Sequence, residues 1–181
     1  MKTFPVLCAF YLLLSACTTN STLVEQTALI ETYDFNAIQT TKYKSVVLVG
    51  GCFDVLHFGH IEFLKKAKVA GDYLVVALEP DQRILKYKHR KPTHTQKERA
   101  EILSSICFVD KIILLPVLNG FEEYNRLVEH IHPNVIAITE GDPQFKNKQN
   151  QAEKVGATVE VVVQRLGDFS SSAIINGRQK R

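Results

Sequence analysis

Methionine is almost missing from this chain: position 1 holds the only one. A shorter product would therefore need a start codon other than ATG. Cysteine pairing is missing too. Of four cysteines, Cys8 and Cys17 lie in the first 17 residues, which leaves Cys52 and Cys107 in apolar surroundings. Neither belongs to a C-x-x-C pair and no metal-ligand spacing joins either to a histidine, so the chain offers no redox pair and no metal site. Buried free thiols fit a reducing compartment. Net charge is small, +3, and there is no long basic run, which removes the argument for a nucleic-acid partner. Internal repeats and low-complexity tracts are absent, and no apolar run reaches the ~20 residues of a membrane-spanning helix.

What is present suffices for one ordinary globular domain with an extension: 181 residues, 45% hydrophobic and 23% charged. The extension comes first. Residues 1–17 carry one lysine, a mostly apolar stretch over 4–14, then Ser15-Ala16-Cys17, the three-part layout of a secretory signal. Leu14-Ser15-Ala16-Cys17 also resembles the lipobox of bacterial lipoproteins, whose cysteine is lipidated after cleavage. Residues 18–44 are polar and threonine-rich with a short apolar patch around Leu29 and Ile30, and are expected to form a linker with room for one helical turn. The folded domain is expected over 45–181.

Residues 46–70, VVLVGGCFDVLHFGHIEFLKKAKVA, organise the rest. An apolar, mostly β-branched run meets Gly50-Gly51, and a polar turn holding two histidines follows. His60, Phe63, Leu64 and Ala67 then recur at the i, i+3, i+4, i+7 spacing of one helical face, while Glu62, Lys65, Lys66 and Lys68 fall elsewhere. The pattern predicts a strand, a tight turn and a helix N-terminus. Gly50 and Gly51 let backbone approach a ligand, and Gly59 does so at the helix start, where free N–H groups and the positive dipole end favour an anion. His57 and His60, three apart, can both turn ring N–H groups on that anion. The expectation is a phosphate site.

Downstream, runs over 73–78, 111–115, 135–138 and 158–163 are predicted strands, and 96–106, 121–131 and 149–155 predicted helices, the last closed by Gly156 as a C-cap. With 46–49 this makes five strands. Unbroken apolar strands alternating with helices predict an α/β domain with a doubly wound parallel sheet, covered on both faces and binding ligands at the carboxyl ends of its strands. The polar stretches 51–60, 79–91, 139–143 and 165–172 each follow a predicted strand. Residues 83–92 place five Lys or Arg in an expected loop, where cations screen a triphosphate from an incoming phosphorylated substrate. Thr95 and Glu98 stand at capping-box spacing. Ser170, Ser171 and Ser172 bring hydroxyls to a helix start, where they serve either phosphates or an ordinary N-cap.

The string Gly51-Cys52-Phe53-Asp54-Val55-Leu56-His57-Phe58-Gly59-His60 resembles the G-x-F-D-x-x-H-x-G-H signature of the cytidylyltransferase-like nucleotidyltransferases. Within that group it is similar to the short glycerol-3-phosphate cytidylyltransferases, the heptose-phosphate adenylyltransferases and the archaeal FAD synthetases. A bare H-x-G-H also looks like that of class I aminoacyl-tRNA synthetases, but the longer string at a strand-to-helix turn separates the two. Phe169-Ser170-Ser171-Ser172-Ala173-Ile174-Ile175 resembles the I-S-T-T or S-S-S-x-I element that opens the last helix of the superfamily. The resemblance covers 46–175.

That resemblance implies a Rossmann-like fold and a reaction in which a phosphorylated alcohol or similar phosphate attacks the α-phosphorus of CTP or ATP, releasing pyrophosphate. Glycerol-3-phosphate cytidylyl transfer is the first expectation, adenylyl transfer to heptose phosphate or FMN the second. By the same resemblance His57, His60 and Lys88 are catalytic, with Lys86 and Lys91 behind Lys88. Gly51, Cys52, Phe53, Gly59, Asp142, Arg165, Ser170, Ser171 and Ser172 hold the nucleotide. Arg99 seats the acceptor's phosphate; Asp54 stands on the acceptor side and chiefly organises the turn. Mg²⁺ bridges the outgoing pyrophosphate, with no protein side chain assigned to it, and a homodimer is implied. Asp168 stands where the family has glycine, and 139–143 only partly follows the family's G-G-D or G-D-D stretch, which leaves the base open. The need for a nucleoside triphosphate favours a cytoplasmic catalytic domain. The lipobox favours membrane attachment through Cys17, and with it an exported, non-catalytic binding domain on the same fold.

Overall fold

In the apolar run that opens the domain, Val47 and Val49 turn to one side and Val46 and Leu48 to the other, and all four are buried. A strand buried on both faces needs a covering layer above and below. The computed structural model, which describes residues 28–34, 40, 43–164, 171–175 and 177, supplies both. Its strands are β1 (Leu29–Thr32), β2 (Val46–Gly51), β3 (Tyr73–Leu78), β4 (Lys111–Leu114), β5 (Val135–Thr139) and β6 (Thr158–Val163). Its helices are α1 (Phe58–Val69), α2 (Asp81–Lys88), α3 (Gln96–Ser104), α4 (Phe121–Ile131), α5 (Phe145–Val155) and α6 (Ser171–Ile175). The strands form one sheet in the order β1-β4-β3-β2-β5-β6, every pairing parallel. Leu64 and Ala67 of α1 and Ala100 and Leu103 of α3 cover one face; Leu127, Val128 and Ile131 of α4 and Ala152 of α5 cover the other. Each large side chain so buried contributes roughly 1.5–3 kcal/mol.

The sheet has six strands rather than five. The additional one, β1, lies in the stretch expected to be a linker with a helical turn. Its four residues, LIET, are half polar and carry no periodicity of their own; β4 makes them a strand. Glu31 lies 2.6 Å from the ammonium of Lys111, whose side chain is 3% exposed. Without Glu31 that cation would be buried and unpaired, so β1 is anchored to β4 by charge as well as by its ladder.

The basic stretch after β3 is not a loop. Residues 81–88 form α2, which His89 ends in the left-handed region at φ 50°. Ile84 is its one buried residue, too little for a periodic signal. Similarly, β2 continues through Gly50 and Gly51 instead of stopping before them, and α5 begins at Phe145 rather than at 149. The capping box at Thr95 and Glu98 is present, and Gly156 caps α5 at φ 70°. Gln96 Nε2 donates to the carbonyls of Leu78 (2.9 Å) and Leu115 (2.8 Å), tying together the tips of β3 and β4. From β2 the chain passes through α1 on one face to β3, and reaches β5 from α4 on the other. A crevice therefore opens at the carboxyl ends of β2 and β5. No helix among the described residues is long and apolar enough to cross a membrane. Residues 1–17 lie outside the described residues, as do Arg165 and Ser170.

Candidate active site

The site is built on the turn between β2 and α1. A Cβ added to Gly51 would stand 2.8 Å from Phe53 Cε2, so glycine there makes room for that ring. Phe53 itself sits at φ 44°, a left-handed conformation costing an aromatic residue roughly 1–3 kcal/mol. Burial of the ring, 5% exposed, holds it there. The ring meets His60 at 5.1 Å between centroids, inclined by 57°. Phe53 thus supports His60 from the core, and its side chain does not face a nucleotide as expected.

His57 is the N-cap residue of α1, with extended backbone and no cap bond from its side chain. Its ring is free to stack on that of His60, at 3.8 Å between centroids and 23° between planes. Nδ1 of each ring is buried and without a hydrogen-bond partner among the described residues. Burial pulls His60 down to about 3, helped by His57 and Lys88 and opposed by the Val55 carbonyl. Burial and then Lys88 lower His57 as well. Two neutral imidazoles with orphaned nitrogens, next to a cation, form a receptor that an anion would complete. The start of α1, immediately after His57, brings the positive end of the helix dipole to this turn.

This burial has a cost in acid. His60 in the folded chain holds its proton only near pH 3, against 6.5 ordinarily. Between those values the unfolded chain binds the proton and the folded one does not, so stability is lost as pH falls from 6.5 towards 3. Urea midpoints measured across this window are expected to fall more steeply for the native chain than for His60→Gln. Parallel profiles would mean that the ring is not buried as a neutral base.

The serine element comes to this turn from far along the chain. Ser171 is buried, and its hydroxyl donates to the Val55 carbonyl at 3.2 Å across 116 residues of sequence. Ser172, next to it, is exposed. The histidine turn and the start of α6 therefore meet, although Ser171 uses its proton on the turn itself.

Two residues expected on the acceptor side are committed elsewhere. The carboxylate of Asp54 is fully buried, accepts from the Thr93 N–H at 2.8 Å and pairs with Arg90. It ties the turn to the segment after α2. Arg90 was visible as one basic residue among several, but its distant partner was not. Arg99 has a side chain 0% exposed, with Nη2 2.6 Å from Asp81, Nε 3.1 Å from the His94 carbonyl and Nη1 on the Cys52 carbonyl. Its fork braces the end of β2 against the start of α2 and is not available to a substrate.

On the α4–α5 side of the same strand tips lies a cavity of about 880 Å³. Leu48, Ala77, Leu115, Leu118, Leu127 and Ile136 form its apolar walls; Arg83, Lys88, Tyr124, Asp142 and Lys148 are among its polar lining. His57, His60, Ser171 and Ser172 do not line it. They stand at the turn into α1, a few residues beyond Gly51 and Cys52, which do line the cavity. Lys88 lines the cavity, and its charge lowers the proton affinity of both histidines and of the Cys52 thiol. Burial nevertheless pushes that thiol up, which favours its protonated form. Asp142 lines the cavity, but its carboxylate accepts from the Gln144 N–H and from Lys148, each at 2.7 Å. Glu79, not singled out from sequence, directly follows β3 in this lining. Burial raises its carboxyl, which accepts from the Tyr124 hydroxyl at 2.8 and 3.0 Å. Its place just after a predicted strand was the available signal.

Comparison with known proteins agrees with this geometry. Residues 48–177 match the family model described as cytidylyltransferase-like. FAD synthase of Thermococcus kodakarensis is 40% identical over 129 residues, covering 69% of this chain and 83% of that protein. The bifunctional protein HldE of Campylobacter jejuni subsp. doylei is 33% identical over 74% of this chain, which spans 28% of that longer protein. Among solved structures, a lipopolysaccharide core biosynthesis protein from Thermoplasma volcanium superposes with a TM-score of 0.53 at 28% identity, covering 66% of this chain and 94% of that one. A pantoate-beta-alanine ligase from Francisella tularensis gives 0.54 at 18% identity, with 83% and 77% covered, a likeness of fold alone. With its histidine pair and serine element joined at Val55, the chain belongs to the cytidylyltransferase-like family of nucleotidyltransferases.

Proposed function

We propose that this chain transfers the adenylyl group of ATP to a phosphorylated acceptor with a large apolar body, FMN being the first candidate, and releases pyrophosphate. The observation that carries this reading is the apolar cavity of about 880 Å³ beside Gly51 and Cys52. Glycerol phosphate has no apolar body to fill it, and a heptose would set hydroxyls against leucines, each unpaired polar group costing about 1–3 kcal/mol. A tricyclic flavin suits such walls. The similarity to FAD synthases supports the same choice, whereas the similarity to HldE favours heptose phosphate as the second reading.

In this reading the triphosphate lies on the histidine side and the acceptor enters from the cavity. An oxygen of the acceptor's phosphate attacks the α-phosphorus, and the bond to the β-phosphate breaks. His57 and His60 donate to the oxygens of the five-coordinate phosphorus, the N-terminal end of α1 and the Ser172 hydroxyl hold the outgoing phosphates, and Lys88 lowers the repulsion between the two anions. Mg²⁺, entering with the nucleotide, would supply charge against the developing pyrophosphate. Dependence on ATP supports a cytoplasmic site of action. Pyrophosphate release measured with ATP or CTP against FMN, a heptose phosphate and glycerol 3-phosphate is expected to be largest for ATP with FMN. Turnover confined to CTP with glycerol 3-phosphate would overturn the proposal.

A further inference from the structure

We propose that Arg83 seats the phosphate of the acceptor, the part that Arg99 cannot play. This rests on the acceptor entering through the apolar cavity. Two anions must meet at β2, and some fixed cation has to hold the second of them. Among the cations that line the cavity, Lys148 is paired with Asp142 at 2.7 Å, and Lys88 is an exposed chain with no ring or carboxylate holding it among the described residues. Lys86 is an exposed chain passing 5.5 Å from the Tyr87 ring. Arg83 is held differently. Its guanidinium carbon lies 4.6 Å from the centre of the Tyr87 ring and 5.4 Å from that of Tyr124. Nη1 donates to the Tyr87 hydroxyl at 3.0 Å, and Nε stands 3.5 Å from Glu79, close enough for charge but not for a normal hydrogen bond. Glu79 is itself fixed by Tyr124.

The two arginines differ in what remains free. Arg99 is sealed, with all three of its nitrogens engaged by protein. Arg83 is oriented by two rings and a carboxylate, yet among the described residues only one of its N–H groups is in a hydrogen bond. Its side chain is 26% exposed and lines the cavity, so the other edge of the fork is open to a bidentate phosphate. Orientation without consumption of donors is what a preformed phosphate receptor requires.

The alternative is that Arg83 merely staples α2 to α4 through Tyr124. Titration of the full-length chain with FMN and with riboflavin, followed by flavin fluorescence, separates the two roles because the ligands differ only in the phosphate. The native chain is expected to prefer FMN, and Arg83→Met, which keeps an unbranched stem over the rings, to bind FMN about 10- to 100-fold more weakly with riboflavin unchanged. Arg83→Lys, which keeps the charge and lacks the fork, is expected to lose about 3- to 10-fold for FMN alone. Should Arg83→Met and Arg83→Lys retain the native preference, or weaken both flavins equally, Arg83 is a staple and the proposal fails. If the native chain binds neither flavin, the flavin reading of the cavity fails and takes this assignment with it. Those two failures are distinguishable because only the second is visible in the unmutated protein.

Discussion

Replacing His57 by alanine is expected to slow pyrophosphate release about 10²- to 10³-fold, equivalent to about 2.7–4 kcal/mol, while the KM for the nucleotide changes little. The rings are neutral in the empty site because burial disfavours their charged forms, and each leaves a buried nitrogen without a partner. Such groups gain most when charge builds on the phosphoryl oxygens, which happens in the transition state. In the proposed complex the resting triphosphate would have other holds: the N-terminal end of α1, Lys88 and the exposed Ser172. His57 is the cleaner of the two to remove, since its side chain makes no cap bond and its loss leaves α1 capped by backbone alone. Removing His60 would also leave Phe53 without the ring it packs against. Stacked at 3.8 Å, the two rings act as a unit, so the double variant should lose far less than the product of the single losses. His57→Gln, which keeps one N–H donor, should recover part of the rate. Single-turnover measurements that find chemistry unchanged in His57→Ala would remove the histidines from the mechanism.

How much of this was legible in the sequence follows from where each signal is stored. Tyr73–Leu78 is a central strand buried on both faces and appears as an apolar run with the bounds it has in the fold, whereas Thr158–Val163 is an edge strand, half of it exposed, that its β-branched valines mark instead. Phe121–Ile131 carries its apolar residues on one stripe and was equally plain. β1 was not, because LIET becomes a strand only through β4 and the Glu31–Lys111 pair, both of them contacts across some eighty positions. Nor was α2, since DQRILKYK has a single buried residue and looks like any solvated basic segment. At the site, residue types could be recognised but their partners could not. A buried arginine and a ligand-facing one look alike in one dimension; what separates Arg99 from Arg83 is Asp81, the Cys52 carbonyl and a pair of tyrosines, none of them adjacent in a way that spacing would reveal. Phe53 is a similar case. It sits in the signature yet faces the core, and only the contact between its ring and Gly51 explains why a glycine must stand two positions before it.

Arg99→Met is expected to destabilise the fold by about 3–5 kcal/mol, because it removes a wholly buried cation and leaves Asp81 and the carbonyls of Cys52 and His94 without their donor. That loss approaches half the total stability of a typical domain, in the range of about 5–15 kcal/mol. Asp81→Ala should cost less, since that carboxylate is 37% exposed and water offsets part of what the arginine loses. The check is urea denaturation: a lower midpoint at an unchanged slope assigns the whole effect to stability. The same variant decides between two roles for the residue. If Arg99 seats the acceptor, Arg99→Met should leave the midpoint within about 1 kcal/mol of native, as an exposed ion pair would, and raise the acceptor KM. If it braces the end of β2, the midpoint falls, and Arg99→Lys, assayed cold enough to remain folded, keeps the native acceptor KM. The first outcome would return the acceptor's phosphate to Arg99 and leave Arg83 as a surface contact between α2 and α4. The second leaves Arg83 as the oriented guanidinium with open donors facing the cavity.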